Sequence, residues 1–182
     1  MPHLPPLEPA NASPEVRDLY FDFQRRMGCP EPPNFIKTQG HSLAVARGTW
    51  GLVQNVLVGG ALPRTLKEMV LTAISSERHC RYCEAAHLTF CRMLGVEADS
   101  LGKLMGNVEE LGSARVRDIV SFGMKCARDP QSLQSEDYET LRHHGLSAAE
   151  ILELISISAL AVYANIIADA TGVEPDTMFG QV

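Results

Sequence analysis

SAAEILELISISALAVYANIIADATG, residues Ser147 to Gly172, is the stretch that decides the architecture. Ser147-Ala148-Ala149-Glu150 has the type and spacing of a capping box, and Gly172 is a natural stop. Between them Ile151, Leu152, Leu154, Ile155, Ile157, Leu160, Val162, Ile166 and Ile167 cover the helix nearly all round. A helix of that kind must be buried on most sides, so in a small domain a subunit interface is expected as its second burial partner. Glu153, Asn165 and Asp169 interrupt it, and no stretch of about 20 uncharged apolar residues is present, so no membrane span is expected.

Working outward, the same helical period recurs. Ser13-Pro14-Glu15 predicts a helix start, and Gly28 its end. Cys29 to Asn34 is a proline-rich connector, and helices are expected over about 42–58, stopped by Gly59-Gly60, from Leu62-Pro63 onward, and over about 80–94. Further ones are expected over 98–105, 114–127 and 135–143, the last capped by Ser135. No run alternates with period two long enough for a strand, so the chain reads as all-α. Residues 1–12, with four prolines, read as an extended arm, and 13–182 as a single helical domain with its core at about 42–128. The segments Leu62–Leu71 and Ser147–Ser156 share a helix start and a glutamate, which suggests an internal helical duplication.

The 182 residues carry a net charge of -6 with 45% hydrophobic and 21% charged residues, an ordinary globular balance. Lys and Arg form no stripe, which argues against nucleic acid as a partner. Met1-Pro2-His3-Leu4 shows no signal peptide, and a cytoplasmic location is expected. In that compartment five cysteines, at 29, 80, 83, 91 and 126, are not a structural disulfide framework.

Cys80 and Cys83 are close enough to act together. If a helix opens near Cys80, Cys83 lies in its first turn, where the dipole favours a thiolate. His87, four residues on, shares that face and can move a proton, and a carboxylate to orient it would complete a relay. Glu68 is the candidate. On one continuous helix it would lie about 18 Å from Cys80, at about 1.5 Å per residue, so the reading requires the chain to fold back between Ser75 and His79. The bland alternatives are two buried thiols, a metal half-site and a satisfied core histidine. Cys29, Cys91 and Cys126 read as packing residues. His41 and Trp50 are candidates to line a substrate pocket.

Glu68, eleven residues, Cys80-x-x-Cys83, three residues and His87 together resemble the core motif of the alkylhydroperoxidase D branch of the carboxymuconolactone decarboxylase family. The resemblance is clear over about Trp50 to Gly95 and looser toward Ala164-Asn165 and Asp176. It implies an all-helical homo-oligomer, trimeric or hexameric, that reduces hydroperoxides through a redox-active Cys80–Cys83 disulfide, without metal or other cofactor. By position, Cys83 would attack the peroxide, Cys80 would resolve, and Glu68 and His87 would handle protons. An external dithiol, in the family a lipoyl-bearing protein, would restore the pair. Tyr82 stands where well-studied members have histidine, as in uncharacterised peroxidase-related members. Lactone decarboxylation, which needs no redox cysteine pair, is the second enzymatic reading, and a metal-stabilised helical module the non-enzymatic one.

Overall fold

The computed structural model describes residues 2–179. Its helices are α1 (Pro14–Met27), α2 (Asn34–Gln39), α3 (Leu43–Leu52), α4 (Arg64–Glu77), α5 (Arg81–Met93), α6 (Ala98–Met105), α7 (Ala114–Arg128), α8 (Ser135–His143) and α9 (Ala148–Thr171), and no strand occurs among the described residues. The expected all-α class holds.

The helix ends follow local chemistry. The Ser13 hydroxyl accepts from the Val16 N–H, and Gly28 closes α1 at φ +79°. Ser147 and Glu150 exchange hydrogen bonds of 2.8 and 3.2 Å as a capping box, and Gly172 ends α9 at φ +64°. At α8 the cap is Gln134 rather than Ser135: its N–H donates to Asp137 Oδ2 at 2.7 Å.

Helix α9 is long and apolar enough to cross a membrane, with a mean hydropathy of 2.0, yet half of that window is buried inside the fold. It packs on α4 and α7, with Ile151, Leu154, Ile157, Leu160 and Ala161 in the core. Leu152 and Ile166 stay exposed on its outer side.

The stretch expected as one helix to Val58 divides. After Leu52 the chain widens into a π-helix over Val53–Val58, and the Gly59 N–H reaches back to the Gln54 carbonyl at 3.1 Å. The reason is Lys67, 1% exposed, whose Nζ donates to the carbonyls of Val56 (2.7 Å) and Gly59 (2.6 Å). Its charge is met by Glu153 at 3.0 Å, and that carboxylate also accepts from the Ala61 and Leu62 N–H groups. The two glutamates of the suspected repeat therefore do different work: Glu153 ties a loop, and Glu68 sits elsewhere. Lys67→Met should cost about 3 kcal/mol in a urea titration, because it leaves the partly buried Glu153 charge and two carbonyls without their cation.

Cys29 to Pro33 is a connector as expected, but α2 follows it directly. Tyr20 donates to the Lys37 carbonyl at 2.9 Å, and a Cβ on Gly40 would lie 1.7 Å from that hydroxyl, so only glycine fits there. The N-terminal arm is laid along the fold. The N–H groups of His3 and Leu4 donate to the Thr171 carbonyl at 2.8 and 3.1 Å, satisfying an end of α9 that has no internal partner.

Candidate active site

Helices α4 and α5 must double back for Glu68 to approach the cysteines, and a residue without glycine's freedom makes the bend. His79 takes φ +58°, its N–H bonding the Ser76 carbonyl and the Cys80 N–H bonding the Ser75 carbonyl, both at 3.0 Å. This left-handed closure is what a glycine usually provides, and a side chain there is strained. With no glycine or proline to mark it, the bend is invisible in sequence.

Folding back brings His87 onto Glu68. His87 Nδ1 lies 2.7 Å from Glu68 Oε2, and Glu68 is fully buried. The other carboxylate oxygen, Oε1, accepts from Arg64 Nε at 3.1 Å. Arg64 also lays its guanidinium 5.5 Å from the Phe90 ring centre and one of its nitrogens 3.7 Å from the Met27 sulfur. Sequence reading missed Arg64; its signal was the four-residue spacing to Glu68 on one helix face. An acceptor carboxylate fixed between a guanidinium and Nδ1 sets the imidazole tautomer: Nδ1 carries the proton and Nε2 offers the lone pair.

His87 and Cys83 border one cavity of about 60 Å³, walled mainly by Phe23, Met27, Phe35, Leu57, Phe90 and Phe179, with Val53 of the π-helix also lining it. Thr49 is its deep polar neighbour, hydrogen-bonded to Gln39 and to the Tyr163 hydroxyl. The lining is almost wholly apolar and carries no lysine or arginine, which suits a small hydrophobic molecule.

Cys80 and Cys83 are buried free thiols. The Cys80 sulfur beside it, then burial, push the Cys83 thiol well up, and Asp169 adds to this. The position at the opening of α5 is as expected, but the helix dipole does not produce a low thiol pKa against these effects. The Asn165 amide on α9 acts the other way and lowers it. The remaining cysteines are held as thiols: burial pushes Cys29 and Cys91 up to about 12, and raises Cys126 too.

Of the three candidate pocket residues, only Tyr82 borders the cavity. Trp50 instead packs against Phe23 at 5.1 Å between ring centres and donates to Asp22 at 2.9 Å, joining α3 to α1. His41 is exposed and holds the Pro5 carbonyl at 2.9 Å, pinning the arm. Neither borders this cavity. Among the described residues no three His, Cys, Asp or Glu side chains gather as a metal-ligand set.

Tyr82 is a tie rather than a base. Its hydroxyl donates to Asp176 at 2.7 Å and accepts from the Phe35 N–H at 3.2 Å, while Asp176 accepts from the Asn34 N–H at 2.9 Å. The C-terminal turn is thereby strapped down, and Phe179 meets both Tyr82 and Phe90 edge-on as a cavity wall. Tyr82→Phe should cost about 1–3 kcal/mol in a urea titration, since buried Asp176 and the Phe35 N–H each lose a partner. Burial raises the Asp176 carboxyl, against the Tyr82 and Asn34 hydrogen bonds. A raised folded-state pKa means the folded protein holds this proton longer than the unfolded chain. The stabilisation is full below the unfolded value of about 3.9 and is lost as pH climbs through the folded one. Asp176→Asn should remove that component, seen as a flatter change in urea midpoint between pH 4 and pH 7.

Residues 44–122 match the carboxymuconolactone decarboxylase family. The chain is 27% identical over 111 residues to an alkyl hydroperoxide reductase of Mycobacterium tuberculosis, a match covering 60% of this chain and 31% of that protein, so it spans about a third of the relative's length. A crystal structure of an alkylhydroperoxidase AhpD core, an uncharacterized peroxidase-related protein from Ralstonia eutropha, superposes with a TM-score of 0.88 at 23% identity, over 98% of this chain and 94% of that one. A peroxidase-related protein from Silicibacter gives 0.86 at 23%, over 99% and 95%. The debrominase Bmp8, as a cysteine-to-alanine variant with 2,3,4-tribromopyrrole, gives 0.79 at 20%, over 97% and 92%. Residues 44–122 thus resemble the carboxymuconolactone decarboxylase family, and the chain around them has the all-helical fold of the alkylhydroperoxidase AhpD core structure.

Proposed function

We propose that the protein is a thiol-dependent hydroperoxide reductase with antioxidant activity. One observation carries the reading: a single apolar cavity is bordered by Cys83 and by a histidine whose other nitrogen is held by a buried carboxylate. The Cys83 thiolate attacks the terminal peroxide oxygen, the O–O bond breaks, and the alkoxide leaves to be protonated through His87, giving an alcohol and a Cys83 sulfenic acid. Cys80 then attacks that sulfur, water leaves, and a Cys80–Cys83 disulfide forms. An external dithiol, such as a lipoyl group on a partner protein, takes over the oxidation and returns both thiols. Glu68 orients His87 and supports the imidazolium, with Arg64 fixing the carboxylate.

The apolar lining supports an alkyl or aryl hydroperoxide over hydrogen peroxide as substrate. The exposed outer residues of α9, Leu152 and Ile166, support a homo-oligomer closed over that helix. The test is a single turnover of the fully reduced protein with cumene hydroperoxide, counting thiols before and after. Loss of two thiols per chain, one alcohol formed per peroxide, and a Cys80–Cys83 disulfide in the peptide map are expected. Retention of all thiols while the peroxide persists would overturn the reading.

A further inference from the structure

The guanidinium of Arg64 is well matched at one end and poorly at the other. Its Nε donates to Glu68 Oε1 at 3.1 Å, while a terminal nitrogen lies 3.7 Å from the Met27 sulfur. Among the described residues that nitrogen meets no oxygen acceptor, and only 21% of the side chain is exposed. A thioether is a weak acceptor, so a strong charged donor faces one of the poorest partners a protein offers.

Met27 is the last residue of α1, 3% exposed, and borders the cavity that Cys83 and His87 also border. It is the only methionine among the described residues lining that cavity. Packing alone does not call for sulfur there: leucine fills a similar volume, and Phe23, Val53 and Leu57 line the same cavity without it. A thioether has one reaction that those side chains lack. Peroxides oxidise it to a sulfoxide, which turns an apolar group into a polar one with a strong acceptor oxygen.

We propose that Met27 is an oxidative modification site: an organic hydroperoxide in the cavity converts its thioether to the sulfoxide, whose oxygen accepts from the Arg64 nitrogen now facing the sulfur. The sulfur attacks the terminal peroxide oxygen, the O–O bond breaks, and the alkoxide leaves and takes the proton of that oxygen. The products are one alcohol and one sulfoxide; the sulfur gives up two electrons and the peroxide takes them. This deepens the hydroperoxide reading by adding a second acceptor of peroxide oxygen at the same cavity, and its effect on turnover rests on that reading.

The added oxygen takes up part of a cavity of only about 60 Å³ and makes its lining more polar. It also competes with Glu68 for Arg64, and Glu68 is the group that holds His87. The oxidised protein should therefore turn over more slowly. A dithiol returns a disulfide to thiols, but a sulfoxide needs a dedicated reductase, so fresh dithiol should not restore the rate. The device acts as a brake that sets when peroxide outruns the reductant.

The test reads the modification apart from the thiol reaction. Cys83→Ser protein, in which no thiol borders the cavity to consume the oxidant, is incubated with cumene hydroperoxide, and oxidation of each methionine is followed by peptide mass spectrometry. Met69 is the reference, since it is 8% exposed and lies outside the cavity. Met27 should gain oxygen at least about fivefold faster than Met69, and unfolding in urea should abolish the difference. Circular dichroism checks the fold, and Cys83→Ala replaces Cys83→Ser should the latter fail to fold. Equal rates at Met27 and Met69 in folded protein would overturn the proposal. For the brake, wild type is treated with excess cumene hydroperoxide, reduced with dithiothreitol and compared with its own untreated rate. It should keep less than about half of that rate, while Met27→Leu, whatever its starting rate, keeps most of its own. An equal fractional loss in Met27→Leu would assign the loss to overoxidation of Cys83 and remove the brake. Wild type that retains its thiols yet oxidises Met27 would sink the peroxidase reading and leave the modification standing; thiol loss with Met27 untouched would do the reverse.

Discussion

Cys83→Ser should lose hydroperoxide reduction altogether and keep its remaining thiols after cumene hydroperoxide, while Cys80→Ser should lose one thiol and stop at a sulfenic acid. The asymmetry follows from position. Cys83 borders the cavity, whereas Cys80 is fully buried behind it and does not border the cavity. On the proposed function, a peroxide in the cavity would meet the Cys83 sulfur, and Cys80 would meet only the oxidised product of that encounter. A serine hydroxyl has neither the nucleophilicity nor the accessible anion to replace the thiol. Dimedone labelling resolved by residue is the measurement. Label on Cys80 in a Cys83→Ser protein would reverse the assigned roles.

The second large effect concerns the proton relay. His87→Ala should lower the rate of Cys83 oxidation about 10²–10⁴-fold, the range of a general acid–base group. Glu68→Gln keeps the volume but removes the charge that fixes Nδ1–H and balances an imidazolium, and it leaves Arg64 facing a neutral amide. It should reproduce much of the His87→Ala loss with a smaller change in substrate affinity, since Glu68 does not border the cavity. Stopped-flow thiol oxidation at several peroxide concentrations separates the two. An unchanged maximal rate in Glu68→Gln would reduce the 2.7 Å contact to a packing feature.

Much of this was open to reading in one dimension. Helix ends at Ser13, Gly28, Ser147 and Gly172 were legible because caps are settled by a few adjacent residues. The Cys80, Cys83 and His87 register was legible because a helix repeats every three to four residues. What failed locally failed for a tertiary reason. The run to Val58 has an ordinary helical pattern, and only Lys67 from the following helix explains its widening. Trp50 and His41 looked like pocket residues because nothing nearby states which way they face; Asp22 and Pro5 decide that.

The sequence by itself determined the all-helical class and the register of the cysteine pair with His87, since spacing within helices is set by backbone geometry common to all chains. Only the tertiary structure decided that His79 bends the chain in a left-handed conformation and lays His87 on Glu68, that Arg64 holds the same carboxylate and that Phe179 walls the cavity. It also decided that Asn165 of α9 is buried against Ser75 of α4, 90 residues away in the chain. Those features depend on contacts between segments far apart in the chain, where the free energy lies in burial and in which buried polar atoms find partners, and no local period records it.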